Sequence, residues 1–560
     1  MKDNKDLKDY ILETFSKLKN IRAKTEAERG KAISLVYPQR NVFNSSDRAL
    51  YDGSGRDAHN TLVNGILGHL LSPSIEWFKL YLQEGHYDMD KIHGAADWLE
   101  ECEAIMYAEL QRSNFYQQAA EFIADSSAQG TAAMWMRESV NDEGVVTFQT
   151  ISPDKYYIDE NHDRWVDTFC YKYKLTAKQA IDYFDDDATE KLQKSYEDDP
   201  YEEHEFIHMV MRRRDRDTFK NDIENMPWAS VHYSYTDDEV IKISGFDEFP
   251  ILVHRWSRGS ADSPYGNGPG NDSIVDMTRL NRVTKSQLLG ADLATNPPLM
   301  VPEELRGKLR MMPGAYNYYQ NPNNQVRPIQ QQIDFSVSLK IQEDIRKILD
   351  RNFYVEYFMM LARSERQMTA REVIERMGEK AAIIGPVVGR LQVEFLAPLI
   401  KRLFTLLGNE RKLPPPPYAL ISRNRSGQRS QLKIELMGPL AQAMKQYHHS
   451  QGIARGLETL MPFMQIDPHV ADNIDMDEAV RIALIAEGWP QKALREIRDR
   501  DEIRRQKQEA MQQQQELEQE MQAAEIMQKG GQRPEPGSPA AQMLQQGQGA
   551  IQRGLRGDQS

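Results

Sequence analysis

Apolar residues recur at three- and four-residue spacing over residues 5–35, where Leu7, Ile11, Phe15, Leu18 and Ile21 share one face. The chain therefore opens on an amphipathic helix. After the turn at Tyr51-Asp52-Gly53-Ser54-Gly55, a second helix is expected over 56–71. Leu62, Ile66 and Leu70 form its stripe, and Gly65 and Gly68 leave room for a close neighbour. Ser72-Pro73 stops it, and Trp77-Phe78 begins a short apolar segment. Residues 91–127 return to helical spacing, with Trp98, Cys102, Met106 and Leu110 on one face.

The period then shortens. Residues 131–138, 145–151 and 169–175 alternate or carry β-formers between turn signals, as strands do. A short helix over 176–184 and a mostly acidic loop to 203 follow, then strands over 204–214, 229–235, 238–243 and 249–256. From the turn Tyr265-Gly266-Asn267-Gly268-Pro269-Gly270 a long polar helix runs to about 294 and breaks at Asn296-Pro297-Pro298. After an insert of loop and strand-like sequence, a second long helix spans 334–361. Neither long helix is apolar enough to sit in the core of a monomer, so each calls for copies of itself as neighbours.

Thr369-Ala370-Arg371-Glu372 has capping-box spacing and starts a helix that runs to about 407. Pro386, after Gly385, predicts a kink in it, and Gly378, Gly385 and Gly389 make one flank small. Four prolines at 414–417 give a stiff linker, and Ile434-Glu435-Leu436-Met437 reads as a returning strand. Short helices follow to about 500, then a charged, Gln-rich helix over 500–529. Residues 530–560 have the composition of a disordered tail. The fold class is α+β, mainly helical.

Composition narrows the chemistry. A chain of 560 residues holds three or four domain-sized units. A formal charge of −14 argues against a protein that clamps nucleic acid by neutralising phosphates, though not against one that DNA slides past. With Cys102 and Cys170 alone, neither a disulfide framework nor a cysteine zinc site is available. The longest uncharged apolar run of the C-terminal half, residues 381–389, falls well short of the ~20 residues a membrane span requires. A soluble protein without a membrane partner is expected.

His204-Glu205-Phe206-Ile207-His208 matches the H-E-x-x-H of zinc hydrolases, in which two histidines one helical turn apart share the metal and the glutamate is the base. The flanking alternation is that of a strand, which holds positions i and i+4 about 13 Å apart, too far for one ion. Gly266, Gly268 and Gly270 lie between a strand and a helix. Even so, Asn271 stands where a dinucleotide fingerprint needs its third glycine, and Pro269 removes a backbone donor. A turn that redirects the chain is the better reading. There is no P-loop and no serine nucleophile elbow, and His448-His449 reads as a solvated pair. No catalytic residue, cofactor or metal is expected. Arg363 and Arg366, in a polar link between helices, would meet DNA phosphates if they faced a channel. Arg306, Lys308 and Arg310 beside Tyr316, Tyr318 and Tyr319 could touch nucleic acid or a partner protein, or form an exposed hairpin. The Gln/Glu-rich end leaves a coiled-coil scaffolding protein as a further alternative, which the strand-rich middle disfavours.

Taken in order, several blocks resemble the portal, or head-to-tail connector, proteins of short-tailed bacteriophages. These are residues 51–58 with Leu71-Ser72-Pro73 and Glu76-Trp77-Phe78; Ser113-Asn114-Phe115 with Gly130-Thr131-Ala132; and 249–256 through 265–270 to Asp276 and Leu280-Asn281. Thr369-Ala370-Arg371-Glu372-Val373 with Arg376 and Glu379, and Gly438-Pro439-Leu440-Ala441-Gln442, complete the set. The resemblance implies a ring, usually of twelve subunits, at one capsid vertex of the virion, through which double-stranded DNA is packaged and ejected. It implies a wing over 1–268 and 411–437, a stem over 269–295 and 334–361, and a clip over 296–333. A tunnel loop would span 362–369 and a kinked helix 370–410, capped by Thr369 and Glu372 and bent at Pro386. A crown over 438–500 and a C-terminal helical barrel over 501–529 would precede the tail at 530–560. Gly266, Gly268, Pro269 and Gly270 would turn the wing into the stem. Implied partners are the capsid and scaffolding proteins, the terminase large subunit on the clip, the tail adaptor or tube protein, and internal ejection proteins. Assembly would take place in the host cytoplasm, with ATP hydrolysis left to the terminase.

Overall fold

The computed structural model describes residues 4–38, 50–84, 87–88, 95–139, 144–220, 222–259, 263–301, 326–328, 336–363, 383–418, 431–437 and 502–513, with residues 303, 307, 316, 477, 480, 481 and 500 singly. The chain falls into two compact units, Met1–Gln451 and Gly452–Ser560.

The first unit opens with α1 (Asn4–Val36) and α2 (Ser54–Leu70), then β1 (Phe78–Glu84) and β2 (Tyr87–Asp88). The helix expected over 91–127 is two: α3 (Ala95–Arg112) and α4 (Phe115–Gln129). The break is fixed from outside. The Asn114 side chain donates to the Phe148 carbonyl at 2.8 Å and accepts from the Phe148 amide at 2.9 Å, which spends on a neighbouring strand the residue that would continue the helix.

Next come β3 (Thr131–Glu138), β4 (Val146–Ile151), β5 (Tyr156–Glu160), β6 (Val166–Thr176), α5 (Ala177–Phe184), α6 (Glu190–Asp198), β7 (Glu203–Arg212), β8 (Trp228–Ser234), β9 (Glu239–Phe246) and β10 (Ile251–Arg255). Two of these depart from the sequence pattern. β5 is a further strand, and the stretch read as an acidic loop contains α6. The Thr189 hydroxyl caps α6 by accepting from the Leu192 amide, and Leu192 is its one buried side chain, so the helix shows no apolar stripe in the sequence.

Strands β5 to β9 form a five-stranded antiparallel meander in chain order. Period-two alternation sends Ile207 and Met209 to one face, against Leu7, Ile11, Phe15 and Leu18 of α1. Phe206 and Val210 go to the other, against Ala180 and Phe184 of α5 and Leu192 of α6. A second sheet runs β10-β3-β4.

Beyond it lie β11 (Ser257–Arg258), β12 (Gly266–Asn267), α7 (Pro269–Asp272) and α8 (Ile274–Thr295). β13 (Leu299–Met300) pairs with β14 (Arg327–Pro328) at the base of the insert. The second long helix is broken into α9 (Ser336–Asn352) and α10 (Val355–Arg363). Tyr354 between them has φ +56°, in the left-handed region, at a cost of roughly 1–2 kcal/mol for a residue with a Cβ. Residues 362 and 363 are helical, as part of α10.

α11 (Ile383–Asn409) passes through Pro386 as helix. It also carries a π turn at Gln392–Leu396, in which the Ala397 amide bonds the Gln392 carbonyl five residues back. Pro398 supplies the reason: it has no N–H to give, and its ring would press on the Glu394 carbonyl in a regular α turn. By length and composition α11 could also cross a membrane. Its charged residues interrupt every apolar run, which is why the sequence showed no span. In the fold it is a core helix, with Phe395, Leu396, Leu399, Ile400 and Leu403 buried and Arg402 bonded to the Met136 and Glu248 carbonyls. Last in this unit, β15 (Gln431–Leu436) returns to pair antiparallel with β1. In the second unit Arg504 binds Asp477 through both carboxylate oxygens, at 2.5 and 2.7 Å.

Candidate functional site along the paired helices

The glycine run at 266–270 is a packing seam as well as a turn. α4 ends at Gly130, whose φ of +84° suits glycine and whose amide bonds the Ser126 carbonyl. Against this terminus lies the start of α7. A Cβ on Gly270 would stand 2.1 Å from the Ala128 carbonyl oxygen, and one on Gly268 2.7 Å from that of Ser127. Pro269 occupies the first turn of α7, where a missing N–H costs nothing. The reading as a turn, rather than a phosphate cradle, acquires a physical cause: two backbones meet with no room for side chains.

From this seam α8 rises 22 residues, about 33 Å, with α9 beside it. Gln342 donates to Thr284 and Gln287 at 3.1 and 2.7 Å, and Asn352 donates to Ser273 at 3.2 Å. The Tyr51–Gly55 turn clasps both helices at their lower half. The Tyr51 amide donates to Asn281 at 2.6 Å, and Arg346 donates to Asp52 at 2.8 Å and to Ser54 at 3.1 Å. Burial pushes the Asp52 carboxyl up, but hydrogen bonds from Ser54 and Arg346 outweigh it and leave its pKa below the usual carboxylate value. Gly55 in this turn faces Met277 with no room for a Cβ.

Above the Gln342 clasp the apolar residues lie at the surface. Leu288, Leu289 and Leu293 of α8 and Val337, Leu339 and Ile341 of α9 are all exposed. The expectation that neither helix reaches a core therefore holds only for the upper half: the lower half buries Met277, Leu280, Ile345 and Leu349 in the core beside these polar bonds, and the upper half leaves its apolar residues exposed.

A second feature, which escaped the sequence, joins β10 to α11 and β5. Arg255, buried at the end of β10, meets Glu394 on the π turn. Its amide donates at 2.8 Å, and its guanidinium donates to Glu394 and to Glu160, each at 2.8 Å. Arg258 adds a 2.7 Å bond to Glu160. Arg255 and Glu394 lie 139 residues apart, so no spacing could reveal them.

Of the remaining sequence candidates, Arg363 lies in α10, and Tyr316 is 81% exposed. Arg306, Lys308, Arg310, Tyr318, Tyr319, Arg366, Thr369 and Glu372 lie outside the described residues, as does the stretch from 514 on. Gly65 takes the close neighbour foreseen for it, the Phe358 ring, whereas Gly68 has nothing within 4 Å. His204, Glu205 and His208 lie on β7 and go separate ways. His204 bonds Ser195 and Thr236, Glu205 pairs with Lys172, and His208 stacks on His232 at 4.1 Å.

A family model for bacteriophage head to tail connecting proteins matches residues 8–494. The chain belongs to that family, the portal proteins, and is thus a virion component at the head–tail junction. It is 28% identical over 492 residues to the portal protein of Salmonella phage epsilon15, covering 84% of this chain and 86% of that one. It is likewise 28% identical over 456 residues to the probable portal protein of Bordetella phage BPP-1, with 80% of each covered. Among solved structures, a chain in the neck of an empty GTA particle is similar at 13% identity and a TM-score of 0.32, over 75% of this chain and 89% of that one.

Proposed function

We propose that twelve copies of this chain close into a ring at one capsid vertex. Its channel would pass double-stranded DNA during packaging and ejection, and its ends would receive the terminase and then the tail. The carrying observation is the exposed apolar upper half of α8 and α9, Leu288, Leu289 and Leu293 beside Val337, Leu339 and Ile341. Repeated around a ring, each such face is covered by the next copy, which a monomer cannot do. In this reading α8 and α9 are the stem and residues 296–333 the clip that docks terminase and tail adaptor. Arg363 and Arg366 touch passing phosphates in the tunnel, while the sheets form the wing toward capsid, scaffolding and internal ejection proteins. Residues 438–500 are the crown and 501–529 a C-terminal barrel. A chain carrying −14 repels phosphate on average, so DNA slips rather than sticks. Catalysis is left to the terminase, and assembly starts in the host cytoplasm.

Two variants test this reading. Leu288→Asp with Leu339→Asp will convert rings to monomers in native mass spectrometry; rings that persist would remove these helices from the interface. Arg363→Ala with Arg366→Ala will keep rings intact but lower the yield of DNA-filled particles at least tenfold. Unchanged filling would refute the tunnel role.

A further inference from the structure

The segment from Ser336 to Arg363 contains neither glycine nor proline, and its local preference is for one continuous helix. The break at Tyr354 is imposed from outside. An aromatic residue stands at φ +56°, where local preference is poor. The residues around it are held by α2: Phe353 meets His59 edge-on at 6.1 Å, Phe358 meets His69 at 5.8 Å, and the Phe358 ring fills the notch at Gly65. A Cβ at Gly65 would lie 2.3 Å from that ring. The docked arrangement also leaves the Tyr357 hydroxyl buried with no hydrogen-bond partner among the described residues. Tertiary packing thus works against backbone geometry over four residues, which is the signature of strain stored by surrounding contacts.

We propose that α9 and α10 are a two-state element. In the docked state Phe358 sits in the Gly65 notch and the helix is broken at Tyr354. In the released state Phe358 leaves α2, Tyr354 returns to right-handed backbone, and α9 and α10 run on as one helix. Release lets the Val355 and Glu356 amides, at the start of α10, reach the carbonyls of Arg351 and Asn352, four residues back. It also hydrates the Tyr357 hydroxyl. Since α10 runs on to Arg363, the same step shifts the backbone at that residue; the bearing of this on a channel alone rests on the portal reading.

Site-resolved hydrogen–deuterium exchange on the full-length assembled protein tests the switch independently of any channel. Gly65→Ala closes the notch and is expected to slow exchange at Val355 and Glu356 at least tenfold, while exchange in the β5–β9 sheet stays as it was. General destabilisation would accelerate exchange, so the sign is diagnostic. Tyr354→Gly removes the penalty of the break and is expected to leave both amides fast, also when combined with Gly65→Ala. Equal or faster exchange at Val355 and Glu356 in Gly65→Ala would overturn the proposal, as would slow exchange at both in the double variant. Failure here leaves ring formation and DNA filling untouched.

Discussion

Gly270→Ala will destabilise the first unit by at least about 3 kcal/mol. The new methyl carbon would stand 2.1 Å from the Ala128 carbonyl oxygen, and the obstacle is backbone at a helix terminus rather than a side chain that can swing away. Either α7 lifts from α4 or the last turn of α4 unwinds, and both disturb the base from which α8 rises. Gly389→Ala is the matched control. Gly389 sits in α11, and a methyl added there would have nothing within 4 Å. At that position alanine will be neutral or stabilising by up to about 1 kcal/mol through its helix preference. Thermal melting followed by circular dichroism separates the two. A Gly270→Ala protein that melts with the parent would mean that the seam is loose.

Acid will weaken the fold well above the range in which most carboxylates titrate. His59, His208, His232 and His254 are all buried. Burial lowers His59 to about 4 and His232 and His254 to about 3, and it holds His208 well below its ordinary value. Neighbouring charge adds to the effect, from Lys242 on His232 and from Arg390 and Arg255 on His254. Because each folded value lies below the unfolded one near 6.5, the unfolded chain takes up protons first. Stability is therefore full above pH 6.5 and falls as the pH drops toward 4. At pH 5 His59, His232 and His254 each cost about 2 kcal/mol, roughly 6 kcal/mol for the three, and His208 acts in the same direction.

Glu103 works in the opposite direction. Burial between α3 and β1 raises it to about 7, although it accepts from the Leu80 amide. Its contribution grows as the pH falls below 7 and returns about 2 kcal/mol at pH 5. The net expectation is a loss of several kcal/mol between pH 7 and pH 5, read by denaturant unfolding at each pH. Equal stability at the two values would contradict the assignment of neutral histidines.

Much of the architecture was legible because period and punctuation agree. The stripe of Leu7, Ile11, Phe15 and Leu18 marks α1, and alternation through His204–Arg212 marks β7 and disposes of the zinc motif. What was hidden depends on contacts distant in sequence. Asn114 breaks a helix because Phe148 claims its side chain, and Tyr354 breaks another because Gly65 admits Phe358. Glu394 pairs with Arg255 because a π turn, set by a proline four residues later, presents it to β10. The polar character of α8 and α9 was readable in the sequence. The division into a clasped lower half and an apolar upper half needed the Arg346, Asp52 and Gln342 contacts.

End-on electron microscopy of the purified protein tests the central claim most directly. Closed rings with a central channel and twelve-fold repetition are expected, their inner wall built from repeated pairs of α8 and α9. Monomers, dimers or open filaments, with Leu288 and Leu339 left exposed, would contradict that claim.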